Sequence, residues 1–145
     1  MKRKCLNEDQ CPIARSLDVV GDWWTLLIIR DAVGGATRFG EFQKHLDIAK
    51  NILATRLKAL VEHGIFTVVS EAEGGHGQYF LTAKGKALLP VLVTLAQWGE
   101  EHTVWDAEGT KLLDAKNLQP LRRVELVSQD GRILRPDDVV AIEPA

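Results

Sequence analysis

Residues 49–66 read AKNILATRLKALVEHGIF, and this stretch narrows the folding options most. Leu53, Leu57, Leu60 and Val61 recur at helical spacing and define an inward stripe. The other face carries Lys50, Asn51, Thr55 and Lys58, with Arg56 near the boundary and one acid, Glu62, near the end. Gly64 stops the helix. Upstream, Phe42 and Leu46 lie four apart on one face, which predicts a short helix over about 40–46, with residues 47–49 as a turn. Helix, three-residue turn, helix is the spacing of a helix-turn-helix. Such a chain must build a small helical core and leave one polar helix face outside it.

The flanking segments extend this frame. Residues 1–11 read as a flexible polar arm. Pro12 suits the first position of a helix over 12–20 that ends at Gly21. Asp22 is a plausible N-cap for WWTLLIIRDAV, a helix apolar nearly all round and therefore expected to be buried. After Gly64, IFTVVSEAE (65–73) is rich in β-branched residues and reads as a strand. GGHG (74–77) reads as a turn and QYFLT (78–82) as the returning strand. Thr82 then caps a long helix over 83–105, which Pro90 should kink. Leu88, Val91, Leu92, Leu95 and Trp98 form its apolar face, with Leu89, Val93 and Ala96 alongside. That stripe is wider than one small core needs, which suggests a partner helix from a second copy. The alternative is that the C-terminal segment covers it. Residues 106–120 read as a linker, followed by strands over 121–127 and 132–135 around an Asp-Gly turn. The expected fold class is mainly α with a small β wing (α+β). Its organisation is an N-terminal arm (1–11), a winged domain (12–105) and a linker with a C-terminal β-hairpin (106–145).

Charge limits the function. The 145 residues carry a net charge of -2, so no global basic signature marks a protein that coats nucleic acid. Residues 106–145 hold six basic and eight acidic residues, so residues 1–105 balance at zero and any positive patch must be local. With 46% hydrophobic and 26% charged residues, the composition fits a chain able to bury a core. WWTLLII (23–29) is too short to span a bilayer, and no apolar run follows the basic N-terminus as in a secretory signal. The expectation is a cytoplasmic protein with no membrane partner.

The ordered motifs resemble the HxlR-type family of bacterial transcription regulators, relatives of the MarR type. Cys-Pro precedes the first helix, and Gly-x-x-Trp-Thr-Leu-Leu-Ile begins at Gly21. Arg-Phe-x-x-Phe opens the third helix at Arg38, and Asn-Ile-Leu-x-x-Arg-Leu-x-x-Leu begins at Asn51. Tyr-x-Leu-Thr-x-x-Gly closes the wing from Tyr79. The resemblance covers roughly residues 11–105. It implies a winged helix-turn-helix that dimerises through its first and last helices, here through Ile13, Leu17, Leu88, Val91, Leu92, Leu95 and Trp98. It also implies a regulator of transcription, a repressor more than an activator. Residues 67–70 and 74–77 stand where the family's wings often carry an arginine and a proline.

A recognition helix offers its N-terminal residues to base edges in the major groove. Lys50 and Asn51 occupy that position, where the helix dipole also favours phosphate. Asparagine can pair bidentately with adenine, and lysine and arginine favour guanine. Thr55 lies one turn beyond Asn51. Arg56 matches the family's arginine, Arg38 could reach the backbone, Lys58 is peripheral, and His76 and Gln78 are the wing's weak candidates. The double-stranded DNA partner implied by the resemblance would be an inverted repeat read by a homodimer. The competing reading is a winged-helix module for protein–protein contact, with the polar face of 50–62 idle.

Cys11 stands beside the N-cap of the first helix, with Arg15 one turn on, a setting that favours a reactive thiol. The resemblance extends to oxidant or electrophile sensing by a cysteine at this position. The other reading is a small, half-buried residue near a dimer helix. Cys5 is either a resolving thiol or an exposed one. His45, His63, His76 and His102 are scattered and make no zinc spacing with the cysteines, so no metal or other cofactor is implied. No residue constellation supports an enzyme. Trp23, Trp24, Trp98 and Trp105 are expected in the core or the dimer interface, and the sequence identifies no small-molecule effector.

Overall fold

The computed structural model describes residues 5–70, 77–104 and 108–143. The chain divides into two compact units, Met1–Leu92 and Val93–Ala145. The division falls inside a helix, upstream of the boundary expected near residue 106.

In the first unit, α1 (Pro12–Val20) and α2 (Thr25–Val33) precede α3 (Phe39–Leu46) and α4 (Lys50–Glu62). Pro12 opens α1 as expected, because its missing N–H is not needed there. Residues 5–11, expected as a flexible arm, are tied to α1. The Leu6 N–H donates to Asp18 Oδ1, and Arg15 Nη1 donates to the carbonyls of Asp9 and Gln10. α2 starts two residues later than expected, and it is not buried all round. Ile28 and Ile29 are fully enclosed, whereas Leu27 and Val33 reach the surface. Asp47 takes a left-handed conformation (φ 51°) to end α3, a conformation that aspartate tolerates. Gly64, at φ +71°, ends α4 as the sequence requires.

The core gathers Phe42 from α3, Leu53, Leu57 and Leu60 from α4, and Ile65 and Phe66 from the following segment. Val61, expected in the same stripe, is only half-buried. The wing is an antiparallel pair, β1 (Phe66–Val69) and β2 (Gln78–Leu81), with Phe66 opposite Leu81 and Val69 opposite Gln78. Phe66 meets both Phe42 and Tyr79 edge to face, with centroids 6.3 Å apart in each pair. Residues 71–76, which hold most of the predicted turn and the end of the first predicted strand, lie outside the described residues.

Thr82 caps the next helix by accepting the Gly85 N–H, as expected. A Cβ at Gly85 would stand 2.3 Å from the Ile65 carbonyl oxygen, so only glycine lets the helix approach the wing this closely. The single long helix expected over 83–105 is two: α5 (Ala83–Lys86) and α6 (Leu89–His102). Pro90 is the reason. It has no N–H to give the Lys86 carbonyl and its ring would press on that group, so the chain turns at 87–88 and Pro90 falls in the first turn of α6.

The second unit continues α6 into the C-terminal segment. Its hairpin is shorter than expected: β3 (Leu126–Val127) pairs with β4 (Ile133–Leu134), and a single 3-10 turn (Pro136–Asp138) follows. Gly131, at φ +88°, makes the predicted turn. Residues 122–124 are not paired as a strand, because the Gln97 side chain takes the place of a strand. Its amide donates to the Arg122 carbonyl and accepts the Val124 N–H. Among the described residues, no helix is long and apolar enough to cross a membrane.

Candidate nucleic-acid interface

The polar face of α4 is presented as the sequence predicted. Lys50, Asn51, Thr55 and Lys58 are all exposed, above a buried leucine row. The N-cap residue of α4 is Ala49, whose side chain cannot accept a hydrogen bond, so no side chain caps the first turn. An uncapped, lysine-bearing helix N-terminus suits a phosphate oxygen. Thr55 Oγ1 donates to the Asn51 carbonyl at 2.9 Å, which leaves its oxygen as an outward acceptor.

The structure separates the predicted residues into two groups. Arg38, Lys50, Asn51 and Lys58 line one groove of about 1060 Å³ between α3, α4 and the wing, together with Gln43, Glu62, Val68 and Tyr79. Thr55 and Arg56 lie on the opposite side of Asn51, where they share a recess of about 140 Å³ with Asn51 and Ile52. Asn51 borders both.

Arg38 is exposed at the N-cap of α3, where Glu41 fastens the backbone. The Glu41 carboxylate accepts the N–H of Thr37 at 2.8 Å and of Arg38 at 2.9 Å. These two hydrogen bonds, with the Arg38 charge, hold the Glu41 carboxyl below its ordinary range. Gln78, expected as a wing contact, has a structural part. Its Oε1 accepts the Thr37 hydroxyl at 3.1 Å, and the neighbouring Tyr79 N–H donates to the Thr37 carbonyl at 2.7 Å. Both bonds fix the wing to the segment before α3. His76 lies outside the described residues.

Arg56 also has a partner that the sequence reading did not foresee. Its Nε is buried 3.4 Å from Asp22 Oδ1, an ion-pair distance without a hydrogen bond. Asp22 is the anchor of this corner: Oδ1 accepts the N–H groups of Trp24 and Thr25 at 2.9 Å each, and Oδ2 accepts the Thr25 hydroxyl. Burial pushes the Asp22 carboxyl up, but the Thr25 and Trp24 hydrogen bonds and the Arg56 charge outweigh it and leave it below the ordinary carboxylate range. Arg56 thus ties α4 to the start of α2. Sequence periodicity could place Asp22 as a cap; it could not pair it with a residue 34 positions on.

A buried carboxylate escaped the sequence reading. The Asp31 side chain is 2% exposed, accepts Arg30 Nε at 3.0 Å and Nη2 at 2.8 Å, and stands 2.8 Å from His45 Nδ1. It joins α2 to α3 and so sets the platform on which α4 rests.

Of the predicted dimer residues, Ile13 and Leu17 on α1 and Val91, Leu95 and Trp98 on α6 are exposed, Leu88 is half-buried, and Leu92 is buried within the chain. Leu92 packs inward because Val91 and Leu95 flank it on the outer side of the helix, so it offers a partner little surface. Cys11 is the exposed N-cap residue of α1, and its N–H donates to Asp9 Oδ1. Arg15, expected to act on that thiol, is engaged with backbone carbonyls. Cys5 is exposed and its thiol donates to Asn7 Oδ1. Of the tryptophans expected in the core or the dimer interface, Trp23 is 88% exposed within one chain, Trp24 is half-buried, and Trp105 lies outside the described residues.

A helix-turn-helix with an outward basic and amide-bearing second helix, followed by a two-stranded wing, defines a winged helix-turn-helix fold. Residues 19–106 match the HxlR-like helix-turn-helix family, and the chain belongs to it. It is 41% identical over 91 residues to an uncharacterized HTH-type transcriptional regulator of Mycobacterium tuberculosis strain H37Rv, Rv3095; the match covers 62% of this chain and 58% of that protein. Among solved structures, PA1607 superposes with a TM-score of 0.86 at 46% identity, covering 95% of this chain and 98% of that one. The redox regulator HypR in its reduced form superposes with a TM-score of 0.58 at 28% identity, covering 63% and 92%.

Proposed function

We propose that this chain is a homodimeric, sequence-specific repressor that reads an inverted-repeat operator with α4. The observation that carries this reading is the sorted α4: leucines buried on one side, and Lys50, Asn51, Thr55 and Lys58 exposed on the other above an uncapped N-terminus. Asn51 is the base reader, placed where both flanking recesses meet. Lys50, Lys58 and Arg38 neutralise phosphates, and Arg56 acts through Asp22 to fix the angle of α4. Two copies related by a twofold axis place their α4 helices on half-sites about 34 Å apart or a multiple of it. The exposed apolar residues of α1 and α6 supply the contact between copies, and the regulator acts on DNA in the cytoplasm. The test is selection of bound duplexes from a random pool. An inverted repeat with two similar half-sites is expected; recovery of no preferred sequence contradicts the reading and favours a protein–protein module.

A redox response is a second layer of this proposal, supported by the exposed thiol of Cys11 at a helix N-cap and by the likeness to HypR. Treatment with diamide should weaken operator binding by the wild-type chain and leave Cys11→Ser unaffected. An equal response from both assigns the effect elsewhere.

A further inference from the structure

Trp23 is more exposed than any other large apolar side chain among the described residues of the first unit. Tryptophan is highly buried on average, and an exposed one presents an apolar ring with a single N–H donor. The surrounding backbone is held firmly, since Asp22 binds the amides of Trp24 and Thr25 and Trp24 is half-buried. The indole therefore stands out from a fixed corner.

That corner adjoins α4. Gly21, Asp22, Trp23, Trp24 and Arg56 line a recess of about 370 Å³, and Arg56 also lines the recess that holds Asn51 and Thr55. Through Arg56, the surface runs from the outer face of α4 to Trp23. A helix lying in the major groove, about 12 Å wide, has a phosphate strand along each side. Arg38 and the wing stand on one side of α4, and Trp23 stands with Arg56 on the other. The N-terminal amides of α2 are already taken by Asp22, whose charge is countered by those donors and by Arg56. The indole N–H thus offers a donor to a phosphate on this side, beside the Arg56 guanidinium, and the ring suits a deoxyribose face.

We propose that Trp23 contacts the DNA backbone, its N–H donating to a phosphate oxygen of the strand that flanks α4 on the side away from the wing. This rests on the DNA-reading function proposed above. Occupation of the same surface by a second copy of the chain is the competing outcome.

The test uses the full-length chain with Trp23→Ala, Trp23→Phe and Asn51→Ala. The probes are a duplex selected by the wild type and an unrelated duplex of equal length. Trp23→Ala should weaken binding to both duplexes alike, by about tenfold, because a backbone contact carries no sequence information. Trp23→Phe, which keeps a ring without the N–H, should recover part of that loss. Asn51→Ala should lower affinity for the selected duplex alone. If Trp23→Ala binds both duplexes as the wild type does while Asn51→Ala loses the selected one, the Trp23 contact is overturned and the DNA-reading function stands. If Trp23→Ala instead dissociates the dimer in light scattering, the residue belongs to the contact between copies and the proposal is overturned. If the wild type binds neither duplex, both readings fall.

Discussion

Helices α4 and α6 each bury one side, and they leave opposite kinds of residue outside. α4 encloses Leu53, Leu57 and Leu60 and exposes Lys50, Asn51, Thr55 and Lys58. α6 encloses Leu92 and Val93 and exposes Val91 (46%), Leu95 (51%) and Trp98 (58%), with Glu100 and Glu101 near its end. A polar surplus with lysines at an uncapped N-terminus suits a phosphate-lined groove. An apolar surplus with acids close by is repelled by phosphate and gains most from another apolar face. On the proposed reading, one chain carries a face for DNA and a face for protein, on two different helices.

Breaking the inner side of α4 gives the largest effect. Leu57→Ala removes a fully enclosed side chain from the centre of the first unit and should cost about 2–5 kcal/mol. Urea denaturation followed by circular dichroism checks it, and operator binding should fall with the folded fraction. Next is the outer side of α6. The double variant Leu95→Asp and Trp98→Asp should raise the dimer dissociation constant on the order of a hundredfold or more, since it places charges at the centre of an apolar contact. Light scattering should then report one chain mass, with the helical signal unchanged.

The smallest effect belongs to the corner that aligns α4. Asp22→Ala removes the acceptor for two amides and the partner of Arg56, and should cost about 1 kcal/mol. The sign with pH follows from the depressed carboxyl of Asp22. Its contribution is complete above the unfolded aspartate value of about 3.9 and is lost as pH falls through the lower folded value. Acid unfolding of the wild type should therefore be steeper below about pH 4 than that of Asp22→Ala. Equal acid limbs would remove Asp22 from the account.

What was legible in the sequence was local. The ends of α1, α3 and α4 followed from Pro12, the 47–49 turn and Gly64, because each is set by the conformational limits of nearby residues. The cap at Thr82 was legible for the same reason. The break between α5 and α6 was only half legible: Pro90 foretold a disturbance, but whether a helix kinks or divides depends on what its two halves pack against. The pairings Asp22–Arg56 and Asp31–His45 could not be read, since nothing in a periodicity fixes which distant residues meet. For that reason Arg56 read as a DNA contact alone, and its ion pair with Asp22 could not be foreseen. The apolar run left Trp23 open between core and dimer interface, and its exposure removes it from the core of its own chain.

The most direct measurement of the central claim is base discrimination by Asn51→Ala. The variant should unfold within about 0.5 kcal/mol of the wild type, because Asn51 is exposed. Its preference for the selected duplex over one substituted at a half-site should fall by about 1–3 kcal/mol, the worth of a bidentate base contact. A folded Asn51→Ala chain that keeps the wild-type preference would contradict the assignment of α4 as the reading helix.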